Sequence, residues 1–148
     1  MRTVRLSDVG LLLIRVMVGV VFVFHGSQKL FGAFGGPGLE GFAGFLAKMG
    51  LPQPYLQAVL AGSAEFLGGL ALGLGLGTRV AVVPLMVTMA VACVMVHGHA
   101  FDAQKGGMEY PLTLLVVLIG LGLTGPGAVA LGRLFRRSPN VAEEGAAP

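Results

Sequence analysis

The sequence predicts an all-α integral membrane protein: a four-transmembrane-helix bundle with a short interfacial amphipathic helix between the first and second spans. Three observations carry this. The chain is 55% hydrophobic and only 11% charged, against roughly 25% charged in an ordinary soluble domain. A soluble chain of 148 residues must cover its surface with polar groups, and this one lacks them. Of its 25 glycines, 12 fall inside the apolar runs, where small residues let helix backbones approach closely in lipid. Finally, four apolar runs have spanning length, about 20 residues each.

The runs are residues 9–31, 55–76, 79–97 and 110–131. Each satisfies its own backbone hydrogen bonds in lipid by being helical, which excludes open strands. The first begins after Arg2 and Arg5, but Arg15 interrupts it and no small-residue cleavage site follows before Gln28 and Lys29. It reads as a retained helix and not as a signal peptide. After the breaker Gly35-Gly36-Pro37-Gly38, the residues Leu39, Phe42, Phe45, Leu46 and Met49 recur at helical spacing. That places an interfacial helix over 39–49, ended by Gly50-Leu51-Pro52. Gly-Leu-Gly-Thr at 75–78 turns the chain between spans two and three, and His97 to Glu109 is a short polar link. Residues 1–137 form a single transmembrane domain, and 138–148 a disordered tail.

The net charge of +3 reads as topology. One side of the bundle holds Arg2, Arg5, Arg79, Arg133, Arg136 and Arg137, and the other holds Lys29, Lys48 and Lys105. The excess places both termini in the cytoplasm, in a multi-pass protein of the cytoplasmic (inner) membrane. No basic stripe is interleaved with aromatics, so no nucleic-acid partner is expected. Cys93 is the single cysteine and no C-x-x-C pair occurs, which excludes dithiol chemistry by this chain alone. There is also no G-x-S-x-G elbow and no phosphate-binding Walker sequence.

Ionisable residues inside a span cost several kcal/mol unless paired. Arg15 lies about 9 Å and Glu65 about 16 Å above the cytoplasmic ends of their spans at 1.5 Å of rise per residue. These two are a candidate intramembrane ion pair, either a register-fixing pair or a functional one. Gly69, Gly73 and Gly77 form overlapping G-x-x-x-G patterns beside Glu65 and read as a packing stripe. A second group lies toward the outer face: His25, Gln28 and Lys29, with His97, His99, Asp102, Lys105 and Glu109 in or beside the third link. His25 and His97 sit at similar depth, about 24 and about 27 Å above the cytoplasmic side. This cluster can be a water-exposed polar cap. It can also hydrogen-bond a quinone carbonyl or shuttle protons, or bind a metal or haem iron through His25, His97 and His99.

Taken in order, these residues resemble the DoxX family. The first span reads R-V-M-V-G-V-V-F-V-F-H-G-S-Q-K-L-F from Arg15, and F-A-G-F-L-A-K-M-G-L-P from Phe42 is similar to the family's interspan helix. A-E-F-L-G-G-L-A-L-G-L-G carries Glu65, K-G-G-M-E-Y-P-L begins at Lys105, and G-P-G-A-V-A-L ends the fourth run at Leu131. Many relatives follow that last element with Leu-Asp, whereas Gly132 stands here, so no role for that acid carries over.

The resemblance implies a four-helix membrane bundle and, for some relatives, a subunit of thiosulfate:quinone oxidoreductase. It points to Arg15, His25, Lys29, Glu65, Lys105 and Glu109. The expected function is a quinone-interacting or redox-complex subunit, not catalytic alone, with His25, Lys29, His97, Lys105 and Glu109 as candidate ligand-binding residues. The cofactor is left open, with quinone a candidate ahead of haem or a metal. The expected partners are the lipid bilayer, a soluble redox protein and further copies of the chain. The alternatives are a non-catalytic membrane scaffold for a soluble redox or stress-response enzyme and, ranked below it, a small transporter.

Overall fold

A computed structural model describes residues 4–133. Five α-helices account for most of them: α1 Leu6–Phe31, α2 Gly38–Lys48, α3 Pro54–Leu74, α4 Thr78–Val91 and α5 Glu109–Thr124. The described residues contain no strand. Three helical segments are long and apolar enough to cross a membrane: Leu6–Phe31, Pro54–Leu74 and Thr78–Val96, the last being α4 with the π turn that continues it. The apolar α5 has 16 residues, about 24 Å of rise. The tail expected at 138–148 lies outside the described residues.

Glycine decides how α1 and α3 meet. A Cβ on Gly19 would stand 2.8 Å from the Gly69 carbonyl oxygen, and one on Gly26 would stand 2.5 Å from the Phe66 backbone nitrogen. The two antiparallel helices therefore touch backbone to backbone, the arrangement that small residues permit where lipid gives no hydrophobic drive. Of the expected glycine stripe, Gly69 and Gly73 face Gly19, while Gly77 serves the turn with a φ of 53°. Around this seam, Val18, Phe22, Leu72, Val82, Leu85, Leu114, Leu118 and Leu121 form the buried core of α1, α3, α4 and α5. Contact runs from α1 to α3, α3 to α4 and α4 to α5, whereas α1 barely touches α5. Helix α2 lays Ala43 and Leu46 on Ala58 of α3.

The fourth apolar run does not stay helical to residue 131. Helix α5 stops at Thr124 because Gly125 adopts φ 77° and ψ −167°, a conformation that side chains resist. Pro126 also disfavours a helical residue before it. The chain then runs on irregularly to a single 3-10 turn at Leu131–Arg133.

That irregular segment is where Arg15 is spent. The expected pair with Glu65 does not form. Arg15 is 1% exposed and donates to the carbonyls of Gly73 (3.4 Å), Val129 (2.8 Å) and Pro126. The reason is register. The glycine contacts set Arg15 level with Gly73–Gly75 at the end of α3, and Glu65 lies eight residues back, about 12 Å away along the helix. Arg15 thus sits at the C-terminal ends of both α3 and α5, where unpaired carbonyls and the negative ends of the helix dipoles favour a cation. Asp8 holds the same segment from the other side, accepting from the Ala128 N–H at 2.6 Å.

Candidate functional site

Glu65 meets Lys29 instead. Antiparallel packing puts Lys29 beside Gly62, whose missing side chain leaves room for the lysine stem and Leu30. The ammonium reaches Oε1 of Glu65 at 2.5 Å and stands 5.1 Å over the ring of Phe42 from α2. The lysine side chain is 25% exposed and the glutamate 2%, so the pair joins a buried anion to a cation near the end of α1. Its second oxygen, Oε2, is buried with no hydrogen-bond partner.

The pair forms one wall of a cavity of about 120 Å³, which also presents His25, His97 and Tyr110, with Phe22 and Met89 among its apolar walls. His97 is delivered by a π turn, Ala92–Val96, at the end of α4. Its N–H bonds to the Ala92 carbonyl five residues back, at 3.0 Å. Such turns rotate the following side chain off the α-helical track. The Nδ1 of His97 donates to the Gly106 carbonyl at 2.6 Å. A carbonyl only accepts, so Nδ1 carries a proton, and whenever the ring is neutral Nε2 is the acceptor. His25 stands 6.3 Å from the Tyr110 ring and is edged by Phe24 at 5.4 Å. Of these two rings, His25 is half-exposed and Tyr110 is 47% exposed. The Tyr110 phenol and the Glu65 carboxylate line the same cavity.

Of the residues expected to bind a ligand, His25, Lys29 and His97 line this space. Lys105 and Glu109 do not. Both are exposed, Lys105 in the link before α5 and Glu109 at its first residue; Glu109 accepts from the Ala103 N–H at 3.1 Å and the Lys105 carbonyl accepts from His99 Nε2 at 3.1 Å. His97 and His99 therefore point to different places, and among the described residues no three His, Cys, Asp or Glu gather as a metal set. The cavity is also far too small for a porphyrin. Sequence reasoning missed Tyr110, although it sits in the K-G-G-M-E-Y-P-L element and a tyrosine at a helix start can present an apolar ring with a polar tip. It also placed Glu65 with the wrong cation.

A larger cleft of about 440 Å³ lies on another side of α1, walled by Val16, Val20, Phe24, Phe34 and Leu70. It offers no group that can hold a polar ligand, so the chemistry belongs to the smaller cavity.

The family model described as DoxX matches residues 10–98, which include Arg15, His25, Lys29, Glu65 and His97. The chain belongs to the DoxX family. Among curated relatives, this DoxX protein is 33% identical to "Putative oxidoreductase CatD" of Bacillus subtilis, over 84% of its own length and 85% of the relative's. It is 35% identical to the uncharacterized membrane protein Rv3486 of Mycobacterium tuberculosis, over 81% and 77% of the two chains. It is 28% identical to the inner membrane protein YphA of Escherichia coli, over 90% and 99%. No solved structure matches it.

Proposed function

We propose that this DoxX protein is the membrane subunit of a redox complex and binds a lipid-soluble quinone head group in the cavity of His25, Lys29, Glu65, His97 and Tyr110. The observation that carries this is the convergence of an ammonium, a carboxylate, two imidazoles and a phenol on one space. A ring gaining or losing electrons needs such proton donors and acceptors beside its oxygens. The volume, about 120 Å³, is near the ~150 Å³ of an apolar cavity that holds benzene. The name of the Bacillus relative, an oxidoreductase, agrees with redox chemistry. The test is quinone turnover by the assembled complex: His25→Ala and Tyr110→Phe are expected to slow it, and wild-type turnover by both variants rejects the reading.

In this reading α5 is the fourth span, completed by the segment that Arg15 pins, and residues 1–137 make one domain of the cytoplasmic membrane. Both termini are cytoplasmic. Helix α2 lies in the outer interface, supported by the exposed rings of Phe31, Phe34, Phe45 and Tyr55 around it, as in an aromatic belt.

One observation favours a scaffold role beside this. The link 97–109 is a folded platform, tied by Gly107 to Asp102, Met108 to Ala100 and Glu109 to Phe101 backbone bonds, each 2.9 Å. It displays Phe101, Lys105 and Glu109 to solvent, a surface suited to a soluble redox partner. A pull-down that survives His25→Ala and fails when 97–109 is replaced supports this second role.

A further inference from the structure

Glu65 is 1% exposed and lines the cavity, yet only one of its oxygens is bonded, Oε1 to Lys29, while Oε2 has no donor. A buried acceptor without a donor is costly, so the carboxylate asks any occupant for an O–H or N–H. In its neutral form His97 adds a second acceptor on the same cavity, because its Nδ1 proton is committed to the Gly106 carbonyl and Nε2 then keeps its lone pair. The donors on the cavity, Lys29 and Tyr110, suit an occupant's oxygen lone pairs. The wall thus offers both kinds of partner.

From this we infer that the site is built for the reduced, dihydroxy form of an aromatic ring in preference to the oxidised quinone. The inference rests on the proposed ring site and sharpens it. A hydroquinone hydroxyl donates to Glu65 Oε2 or His97 Nε2 while its oxygen still accepts from Lys29 or Tyr110. A quinone carbonyl can only accept, and leaves the buried Glu65 Oε2 without a proton. Lys29 also fixes what Glu65→Gln would do. Its N–H must face the amide oxygen, which turns the amide NH₂ into the position of Oε2 and replaces an acceptor by a donor.

The experiment is equilibrium binding to the full-length protein in lipid nanodiscs under argon, with a dimethyl-substituted benzoquinone and its hydroquinone as probes. The hydroquinone is expected to bind about tenfold tighter or better, the scale of one buried acceptor gaining its donor. Glu65→Gln, checked for folding by thermal unfolding, is expected to lose or reverse that preference. Equal or tighter binding of the quinone by the wild-type protein overturns this inference and leaves the ring site standing. Binding of neither probe overturns both. The wild-type comparison decides the matter even where the variant fails to fold.

Discussion

Lys29 donates to Glu65 across the α1–α3 seam at 2.5 Å, and this bond joins the packing of the bundle to the chemistry of its cavity. The anion is almost wholly buried while the cation keeps a quarter of its side chain exposed. Removing either partner leaves the other as an isolated charge at that depth, which costs roughly 3–5 kcal/mol for buried pairs. Lys29→Met and Glu65→Leu are each expected to lower the midpoint of thermal unfolding in detergent, whereas the double variant stays closer to wild type. Additive losses in that double-mutant cycle would show that the two charges do not depend on one another.

Arg15 is expected to matter for stability and not for ligand binding. It serves one carbonyl at the end of α3 and two in the segment that follows α5, and lies away from the cavity. Arg15→Ala strands those carbonyls and is expected to cost on the order of 3 kcal/mol or more. Arg15→Lys recovers part of the loss, since an ammonium lacks the planar fork that reaches three acceptors at once. Proteolysis near residues 125–131 reports the effect, and full protection in Arg15→Ala would contradict it.

The close α1–α3 approach makes Gly26 more sensitive than its size suggests. A methyl there would meet the Phe66 backbone at 2.5 Å, and backbone cannot step aside as a side chain tip can. Gly26→Ala is expected to cost about 1–3 kcal/mol by overpacking and to weaken ligand binding by shifting Lys29 against Glu65. Gly44→Ala, on α2 with nothing within 4 Å of its Cβ position, is the control that should leave both unchanged.

Cys93 supplies a clean background for topology. It is 7% exposed inside the third span, so an impermeant maleimide should leave the wild-type protein unlabelled. Phe101→Cys is expected to label from outside intact cells, and Ser7→Cys only after the cytoplasmic side is opened. The reverse pattern would invert the proposed orientation.

The membrane class and the helices α1 to α4 were legible in the chain because hydropathy and helical spacing are local properties. Lipid leaves a backbone few ways to satisfy its polar groups. The family could be read too, as could the identity of the costly residues, since any ionisable side chain within an apolar run stands out. Partners were another matter. Which cation meets Glu65 depends on the axial offset between two helices, and that offset is fixed by Gly19, Gly26 and Gly69, residues whose effect is an absence of atoms. The sequence marked Gly125-Pro126-Gly127 as part of a motif without showing that α5 ends there and that the segment after it gives the carbonyls of Pro126 and Val129 to Arg15. Nor could it show that a π turn swings His97 toward Tyr110 while His99 is left in the loop. Local chemistry named the residues; long-range packing decided which of them share a cavity.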